Sequence, residues 1–341
     1  MNSPSISPAE LRKLMRPYTQ RSNIKAWAIF TFDVGIYWSL LICVGYVESI
    51  WGKVAISLLL GLVIGLLFIV GHDCCHRSFT SSHKLNRFLG IIGFMPSLHN
   101  IDLWELGHNK THHAFTNYKE KDYVYTPLAP SEYLSLPSLK KYQYQLYRTI
   151  FGHLFYYAVE IWFKKMIVPH NNIPGIGNKD RYYLGTASLL LYLFVLHIVL
   201  ISLSHFSGAS FISCWAFGFL LPFLFWNWLM GFVIFQHHTN IYTRWFDDED
   251  EWDYWEVQVG HSTHIRFPKP LNLILHNIME HTAHHSNMMV PLYNLPKAQE
   301  HIERLYGEKV QVINWSWVFY WNSIRSCKLY DYQSHRWLGF K

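Results

Sequence analysis

Four long apolar stretches, arranged as two closely spaced pairs, constrain the fold of this chain more than any other feature of its sequence. They cover residues 26–46, 54–71, 183–203 and 211–235. Each approaches the roughly 20 apolar residues that an α-helix needs to cross the hydrocarbon core of a bilayer. A short turn joins the two members of each pair, so we predict two membrane hairpins. Pro222 is expected to kink the fourth helix. The apolar stretch 88–98 is too short to span and is expected to form a re-entrant or interfacial helix.

The composition agrees with a membrane protein that has a large polar part. Charged residues make up 15% of the chain, against about 25% in a typical soluble domain. Aromatic residues make up 18%, and tryptophan and tyrosine favour membrane interfaces. The five cysteines form no disulfide framework, and the adjacent Cys74 and Cys75 are interpreted as packing residues in a reducing compartment. The net charge of +6 suits an anionic inner leaflet. The chain lacks basic runs and nucleic-acid motifs, so we predict no nucleic-acid partner.

An even number of crossings places the remaining segments on one side of the membrane. The predicted organisation is a cytosolic N-terminal segment (1–25), a first membrane hairpin (26–71), a cytosolic region (72–182), a second hairpin (183–235) and a final cytosolic region (236–341). Lysine and arginine concentrate beside the spans on this side, and positively charged loops stay inside. We therefore expect a multi-pass membrane protein with both termini in the cytoplasm. The aromatic and basic stretch 144–168 is either an amphipathic helix on the membrane or a buried face of the cytosolic domain.

Three short histidine clusters lie in the predicted cytosolic regions. They read HDCCH at 72–76, HNKTHH at 108–113 and HTAHH at 281–285, and together hold eight imidazoles. Each contains a pair four residues apart, which an α-helix presents on one face, so both rings can point at one centre. A chain with 21 histidines forms some such pairs by chance, but three clusters, two of them ending in His-His, favour a metal site. Eight ligands suit two ions held side by side.

The ligand type and its neighbours narrow the chemistry of this site. Imidazole binds iron, copper, zinc and nickel; the lack of bridging thiolates favours oxygen-activating iron, although zinc accepts the same ligands. A metal-bound histidine normally gives its second N–H to a carboxylate or carbonyl. Four polar side chains in or near the clusters are candidates for this role, with plain surface positions as the alternative: Asp73, Asn109, Asp122 and Glu280. His261 and His264 are further candidates to support the ligands, whereas His153 and His335 are interpreted as structural.

The clusters and their neighbours resemble the histidine boxes of the membrane fatty acid desaturases. The stretches HDCCHRSF (72–79), HNKTHHAFTN (108–117) and HNIMEHTAHH (276–285) are similar to the three boxes of the acyl-lipid Δ12 and related desaturases, and the resemblance covers residues 50–300. It implies an all-α membrane protein with four transmembrane helices, in two hairpins, beneath a cytosolic helical cap that carries a di-iron site. It also implies nine histidine ligands for two iron ions (Fe2+). These are His72, His76, His108, His112, His113, His238, His281, His284 and His285, with His237 as the substitute for His238.

The resemblance implies an oxygen-dependent desaturase that inserts a cis double bond into an acyl chain, with no catalytic residue beyond the metal ligands. The expected substrate is an acyl-lipid or acyl-thioester in contact with membrane lipids. The flanking residues favour Δ12 or ω-6 insertion, with Δ9 and ω-3 as alternatives. Electrons are expected from an external donor such as ferredoxin or cytochrome b5, because no fused cytochrome b5 domain, flavin fingerprint or iron–sulfur cysteine pattern is found.

Two other functions stay open at the level of sequence. One is a histidine-box di-iron hydroxylase that acts on an alkane, sterol or carotenoid. The other is a non-enzymatic metal carrier or sensor. A transporter would place its polar ligands inside the spans, whereas these clusters lie at the span ends or beyond them.

Overall fold

The computed structural model describes residues 7–173 and 175–340, and most of them are helical. Four helices in this part of the chain are long and apolar enough to cross a membrane, as predicted: Asn23–Tyr46, Ile50–Cys75, Lys179–Ser207 and Phe211–His238. The chain divides into two compact units. The span unit comprises Ser22–Leu106 and Leu154–Gly231, and the histidine unit comprises Met1–Arg21, Gly107–His153 and Phe232–Lys341.

Serine caps define the first hairpin of the span unit. After α1 (Pro8–Met15) the chain forms α2 (Asn23–Tyr46) and α3 (Ile50–Cys75). Ser22 and Ser49 precede these two helices, and each hydroxyl accepts a backbone N–H from the first helical turn, which satisfies a donor that the helix cannot pair internally. α3 continues beyond the apolar stretch and carries the first histidine cluster in its last turn, with His76 at its C-terminal end.

A short helix, α4 (His83–Phe94), packs closely along α3. A Cβ atom on Gly93 would lie 2.7 Å from the carbonyl oxygen of Leu67, and one on Gly71 would lie 2.5 Å from the Phe94 ring. Glycine at both positions therefore lets the two helices approach until backbone meets backbone. Residues 88–94 of the apolar stretch thus form the second half of a short helix that packs against the second span; a re-entrant or interfacial position for it stays a prediction.

The chain between the hairpins forms short helices instead of one long element. They are α5 (Ile101–Trp104), a π-helical turn (Glu105–His112), α6 (Pro130–Ser135), α7 (Ser138–Tyr147), α8 (Gly152–Tyr156) and a second π-helical turn (Tyr157–Phe163). The prediction of one amphipathic helix over 144–168 is therefore wrong. Arg148 ends α7 and is buried, because its guanidinium donates to the carbonyl oxygens of Tyr125 and Thr126 at 2.9 and 3.2 Å.

The second hairpin contains an irregular turn beside Pro222. It joins α9 (Tyr183–Ser207) through the left-handed Gly208 (φ 74°) to α10 (Phe211–Trp215), a π-helical turn (Ala216–Leu220) and α11 (Leu221–His238). Proline has no N–H to donate, so the α-helical bond to the turn before it is lost. The wider π-helical turn lies immediately before Pro222 and accommodates that loss.

The rest of the histidine unit combines short helices with two small sheets. The helices are α12 (Lys269–Ile274), α13 (His281–Ser286), α14 (Leu295–Tyr306) and α15 (Trp317–Ser326). β1 (His264–Arg266) pairs in parallel with β2 (Val312–Asn314), and β3 (Leu329–Asp331) pairs antiparallel with β4 (Arg336–Leu338). The all-α prediction holds for the bulk of the described chain. Strands of three residues carry too little alternation to be seen in the sequence.

Candidate metal centre

The second histidine cluster lies on the π-helical turn Glu105–His112, and this changes which rings meet. In a π-helix each N–H bonds to the carbonyl five residues earlier, and the His113 N–H donates to the His108 carbonyl oxygen at 2.9 Å. Residues five apart therefore align, and the Nε2 atoms of His108 and His113 lie 3.1 Å apart. The expectation that His108 converges with His112, four residues on, is wrong, because it assumed an α-helix.

The third cluster occupies the α-helix α13 and keeps α-helical spacing. His281 and His285 share one face, with ring centroids 4.3 Å apart. His284 lies about 100° around the helix from His285 and turns towards the second cluster, where its Nε2 is 3.0 Å from that of His113. The helix therefore presents histidines in two directions.

Two groups of histidine nitrogens result within the histidine unit. The first contains His108, His113 and His284, and the second contains His112, His238 and His285, with the ligand nitrogens of each group within 4.8 Å of one another. The Nε2 of His281 adds to the second group, 2.9 Å from that of His238. The His-His dipeptides of the second and third clusters each give one ring to each group, because adjacent helical side chains diverge. Each group could hold a metal ion.

The first cluster lies in the span unit, at the end of α3. His72 and His76 lie one α-helical turn apart at the end of α3, and their Nε2 atoms are 3.2 Å apart. Both rings are buried. Asp73 lies beside them, with its Oδ1 3.5 Å from His72 Nδ1. This pair therefore has the α-helical geometry that the spacing predicted.

Asp122 orients one of the ligand candidates. Its carboxylate oxygens lie 3.0 and 3.1 Å from His112 Nδ1, and the same carboxylate accepts the backbone N–H groups of Asn117 and Val124. A carboxylate at Nδ1 fixes the proton there and leaves the Nε2 lone pair for a metal. The structure thus places Asp122 where the sequence suggested, buried against the imidazole of His112.

Gln258 holds a second ligand candidate and was missed by the sequence analysis. Its Oε1 accepts from His285 Nδ1 at 2.7 Å, while its Nε2 donates to the His113 carbonyl oxygen at 2.9 Å and to Thr116 Oγ1 at 3.1 Å. One side chain therefore links the second and third clusters. Gln258 lies on a π-helical turn, Glu256–Gly260, far from any box, so spacing gave no signal. Thr116, four residues after His112, was the only local hint.

The protonation of the third cluster suits a metal site. Burial, followed by the neighbouring imidazoles, holds the pKa of His281 and His285 well below the usual range. Neutral imidazole is the form that binds metal. The Nε2 of His285 is buried without a hydrogen-bond partner among the described residues, and such an atom is costly to bury unless something binds it. The residues present therefore fit metal ions that accept neutral nitrogen ligands.

Glu280 and His264 form a charged network beside the third cluster. His264 Nε2 lies 2.9 Å from Glu280, and its Nδ1 lies 2.6 Å from Glu303. Burial lowers the pKa of the His264 imidazole, but the bonds to the two carboxylates outweigh it and raise the pKa overall. Gln299 connects Glu303 to the Ala283 N–H at 3.1 and 2.8 Å. The network therefore holds the first turn of α13.

The remaining candidates have other surroundings. His237 stacks on His281, with ring centroids 3.7 Å apart and an interplanar angle of 14°. Asn109 is half-buried on the π-helical turn next to His108. His261 bonds to Glu256 at 3.3 Å, and burial lowers its pKa. His237 is thus near the second group, where His238 contributes the ring nitrogen.

The chain is similar to known proteins along most of its length. The model of the fatty acid desaturase family matches residues 49–317. The sn-1 oleoyl-lipid 12-desaturase of Picosynechococcus sp. is 27% identical over 338 residues, covering 97% of this chain and 91% of the relative. A chloroplastic omega-6 fatty acid desaturase of Glycine max is 25% identical over 313 residues, covering 91% and 70%. The sn-1 oleoyl-lipid 12-desaturase of Synechocystis sp. is 26% identical over 329 residues, covering 94% and 88%. The matched range includes all three histidine clusters.

Proposed function

Because the chain belongs to the fatty acid desaturase family, we propose that it inserts a cis double bond at the Δ12 or ω-6 position of a lipid-linked acyl chain. The protein is an oxygen-dependent membrane desaturase, since the family model matches residues 49–317 and the chain has four apolar helices long enough to span a bilayer. The position is supported by relatives named as 12-desaturases and omega-6 desaturases. The family excludes neither Δ9 nor ω-3 chemistry by itself, so the names of these relatives carry the choice.

One structural observation carries the proposal: the histidines of the second and third boxes interleave into two groups in the histidine unit. A carrier for one ion needs only one group. Two adjacent groups of neutral nitrogen ligands suit a two-metal site in which both ions act on one substrate. This arrangement favours the enzyme over the metal carrier or sensor.

We propose two iron ions as the cofactor and nine histidines as their ligands. Seven of these are in the histidine unit: His108, His112, His113, His238, His281, His284 and His285. His72 and His76 join them in the proposal because they form the first box of the family pattern and their Nε2 atoms already converge. Bound iron would supply the oxidising power that removes two hydrogens from adjacent carbons, with O2 and two donor electrons ending as water.

The chain's own residues prepare the ligands for this chemistry. Asp122 holds the proton of His112 on Nδ1, and Gln258 does the same for His285, so that both Nε2 atoms face the centre unprotonated. The rings of His112, His238, His281 and His285 are buried. Burial excludes water and protects a strong oxidant from side reactions. The protein therefore orients ligands and acyl chain, and the metal performs the oxidation.

The proposal also covers the substrate, the electron donor and the orientation of the protein in the membrane. The substrate class is lipid, and an acyl-lipid is favoured over an acyl-thioester by the names of the relatives. The electrons would come from a soluble or membrane-bound one-electron donor such as ferredoxin or cytochrome b5. We place both termini and all three boxes in the cytoplasm, because lysine and arginine concentrate beside the spans in 1–25 and 72–182. We also propose that the five segments predicted from the sequence are the topological regions of the chain.

The test is expression in a host whose lipids contain oleoyl chains but no dienes, followed by double-bond mapping of its fatty acids. We expect a new product that has lost two hydrogens, with its second cis double bond at carbon 12. A product that gains one oxygen would instead identify a hydroxylase and refute the desaturase. A double bond at another carbon would refute the Δ12 or ω-6 assignment alone.

A further inference from the structure

One side of α15 exposes large apolar side chains although this helix is outside the four spans. Trp317, Val318 and Trp321 are 67%, 70% and 50% exposed. The adjoining side of the helix is buried through Tyr320 and Ile324. Two tryptophans and a valine together on one helix face exceed the scattered apolar residues that a water-facing surface normally carries.

A second apolar segment lies next to this face. β1 and β2 run in parallel, and the Trp315 N–H continues their ladder by donating to the Arg266 carbonyl oxygen at 3.1 Å. The chain therefore leaves both strands at the same end, where Phe267 and Trp315 stack with centroids 5.2 Å apart. α12 follows Phe267. We call the exposed apolar residues of these two helices the tryptophan surface: Leu271, Leu273, Ile274, Trp317, Val318 and Trp321.

The buried side of α15 fixes the level of the tryptophan surface relative to a bilayer. The Tyr320 ring packs on the rings of Phe232 and Phe235, with centroid distances of 5.0 and 6.5 Å. Both phenylalanines belong to the last turns of α11. A bilayer core takes about 20 helical residues, which from Phe211 reach the neighbourhood of Met230. Phe232 is within one turn of that point. α15 therefore lies at the boundary between hydrocarbon and head groups.

The charges of the tryptophan surface suit lipid head groups. The segments 267–274 and 315–326 contain Lys269 and Arg325 and no acidic residue. Tryptophan concentrates where hydrocarbon meets head groups, because its ring is apolar and its N–H is polar. Basic residues beside an apolar helix face are attracted to anionic lipids.

We propose that α12 and α15 rest on the membrane and insert the tryptophan surface into the head-group boundary. This gives the histidine unit a membrane contact of its own, in addition to the four spans. The inference does not depend on the desaturase activity, since it rests on exposure, on packing against the fourth span and on charge. Its occupant is a lipid surface that contains anionic head groups.

The test measures where a spin label on the tryptophan surface resides. In a Cys43→Ser background, which removes the exposed native thiol, a nitroxide is attached at Val318→Cys or at Leu273→Cys. The matched control is Gln333→Cys, an exposed position in the turn between β3 and β4. The labelled full chain is placed in nanodiscs of phosphatidylcholine and phosphatidylglycerol. Power saturation then compares relaxation by O2, which concentrates in lipid, with relaxation by a water-soluble nickel chelate.

We expect O2 to relax the labels at 318 and 273 more than nickel does, and the reverse order at 333. Either surface label that follows the control pattern would overturn the proposal, and the second reporter keeps the test valid if one variant folds poorly. Spin–spin broadening between labels of two chains would show that a second copy covers the surface, which also overturns it. None of these signals requires bound iron or turnover, so they are independent of the proposed reaction.

Discussion

The Nε2 atoms of His113 and His284 lie 3.0 Å apart, although 171 positions separate the two residues in the chain. Their neighbours in sequence, His112 and His285, turn to the other group, with ring centroids 5.1 Å apart. The His-His dipeptides of the second and third clusters are therefore interleaved. The divergence of adjacent side chains divides these four rings between two groups, each of which could hold a metal ion.

Asp122→Asn should weaken metal binding. The amide keeps the shape of the carboxylate but loses the charge that fixes the proton of His112 on Nδ1. Loss of such a partner typically costs about 10–100-fold in metal affinity. Competition with a chelator, followed by metal quantification, measures the change. Asp250→Asn, in the exposed acidic loop, is the control, and equal metal retention by both variants would count against the role of Asp122.

Gln258→Leu should lower both stability and metal retention. The substitution leaves the His285 Nδ1 and the His113 carbonyl oxygen without their shared partner, and each buried unpaired group costs about 1–3 kcal/mol. Gln258→Glu keeps the acceptor for His285 but loses the donor to His113, so it should retain more metal than Gln258→Leu. Thermal unfolding and metal content rank the two variants. Equal stability and equal metal content would refute the linking role of Gln258.

His112→Ala should abolish desaturation while the protein still inserts into the membrane. The ring belongs to the second histidine group, and insertion depends on the apolar spans. His335→Ala is the matched control, because His335 contacts the Trp245 carbonyl oxygen at 3.3 Å and belongs to neither group. Product analysis and membrane fractionation check both. Near-normal turnover of the His112 variant would show that the ligand assignment is wrong.

The stabilising effect of His264 should depend on pH. Its folded-state pKa is raised, so its contribution is complete below the unfolded value of about 6.5 and is lost as the pH rises through the folded-state pKa. The melting temperature of the parent should exceed that of His264→Gln most strongly in mildly acidic buffer, and the gap should narrow at alkaline pH. A gap that is constant across this range would mean that the charge of His264 is irrelevant.

Gly93→Ala should destabilise the packing of α4 on α3. Its Cβ would meet the Leu67 carbonyl oxygen at 2.7 Å, and overpacking of this kind typically costs about 1–3 kcal/mol. Gly35→Ala, in α2, is the control, because nothing lies within 4 Å of the added atom and alanine favours a helix. Thermal unfolding in detergent should separate the two; equal stability would argue against the close approach of the helices.

The sequence predicted the parts of this structure that depend on composition and repetition. The four apolar helices followed from the length of their hydrophobic stretches, and the histidine clusters followed from spacing. The pairing within the second box did not, because the π-helical turn moves the partner of His108 from His112 to His113. A π-helical hydrogen bond spans one residue more than an α-helical one, and a single such turn is too short to show a changed period in the sequence.

Long-range partners were equally invisible. Gln258 meets His285 and His113 only after folding, across 27 and 145 positions. The break at Arg148 depends on carbonyl groups of Tyr125 and Thr126 that no local pattern reveals. Glu280, a candidate from the sequence to support a ligand, contacts His264, because proximity in sequence to His281 does not fix the direction of its side chain.

The most direct test of the account is the metal content of active, purified protein. Interleaved groups of neutral imidazoles predict about two iron ions per chain, with activity that rises with iron occupancy. The measurement combines elemental analysis with desaturation by the same preparation. Full activity with one metal ion per chain, or with none, would contradict the two-metal centre on which the proposed function rests.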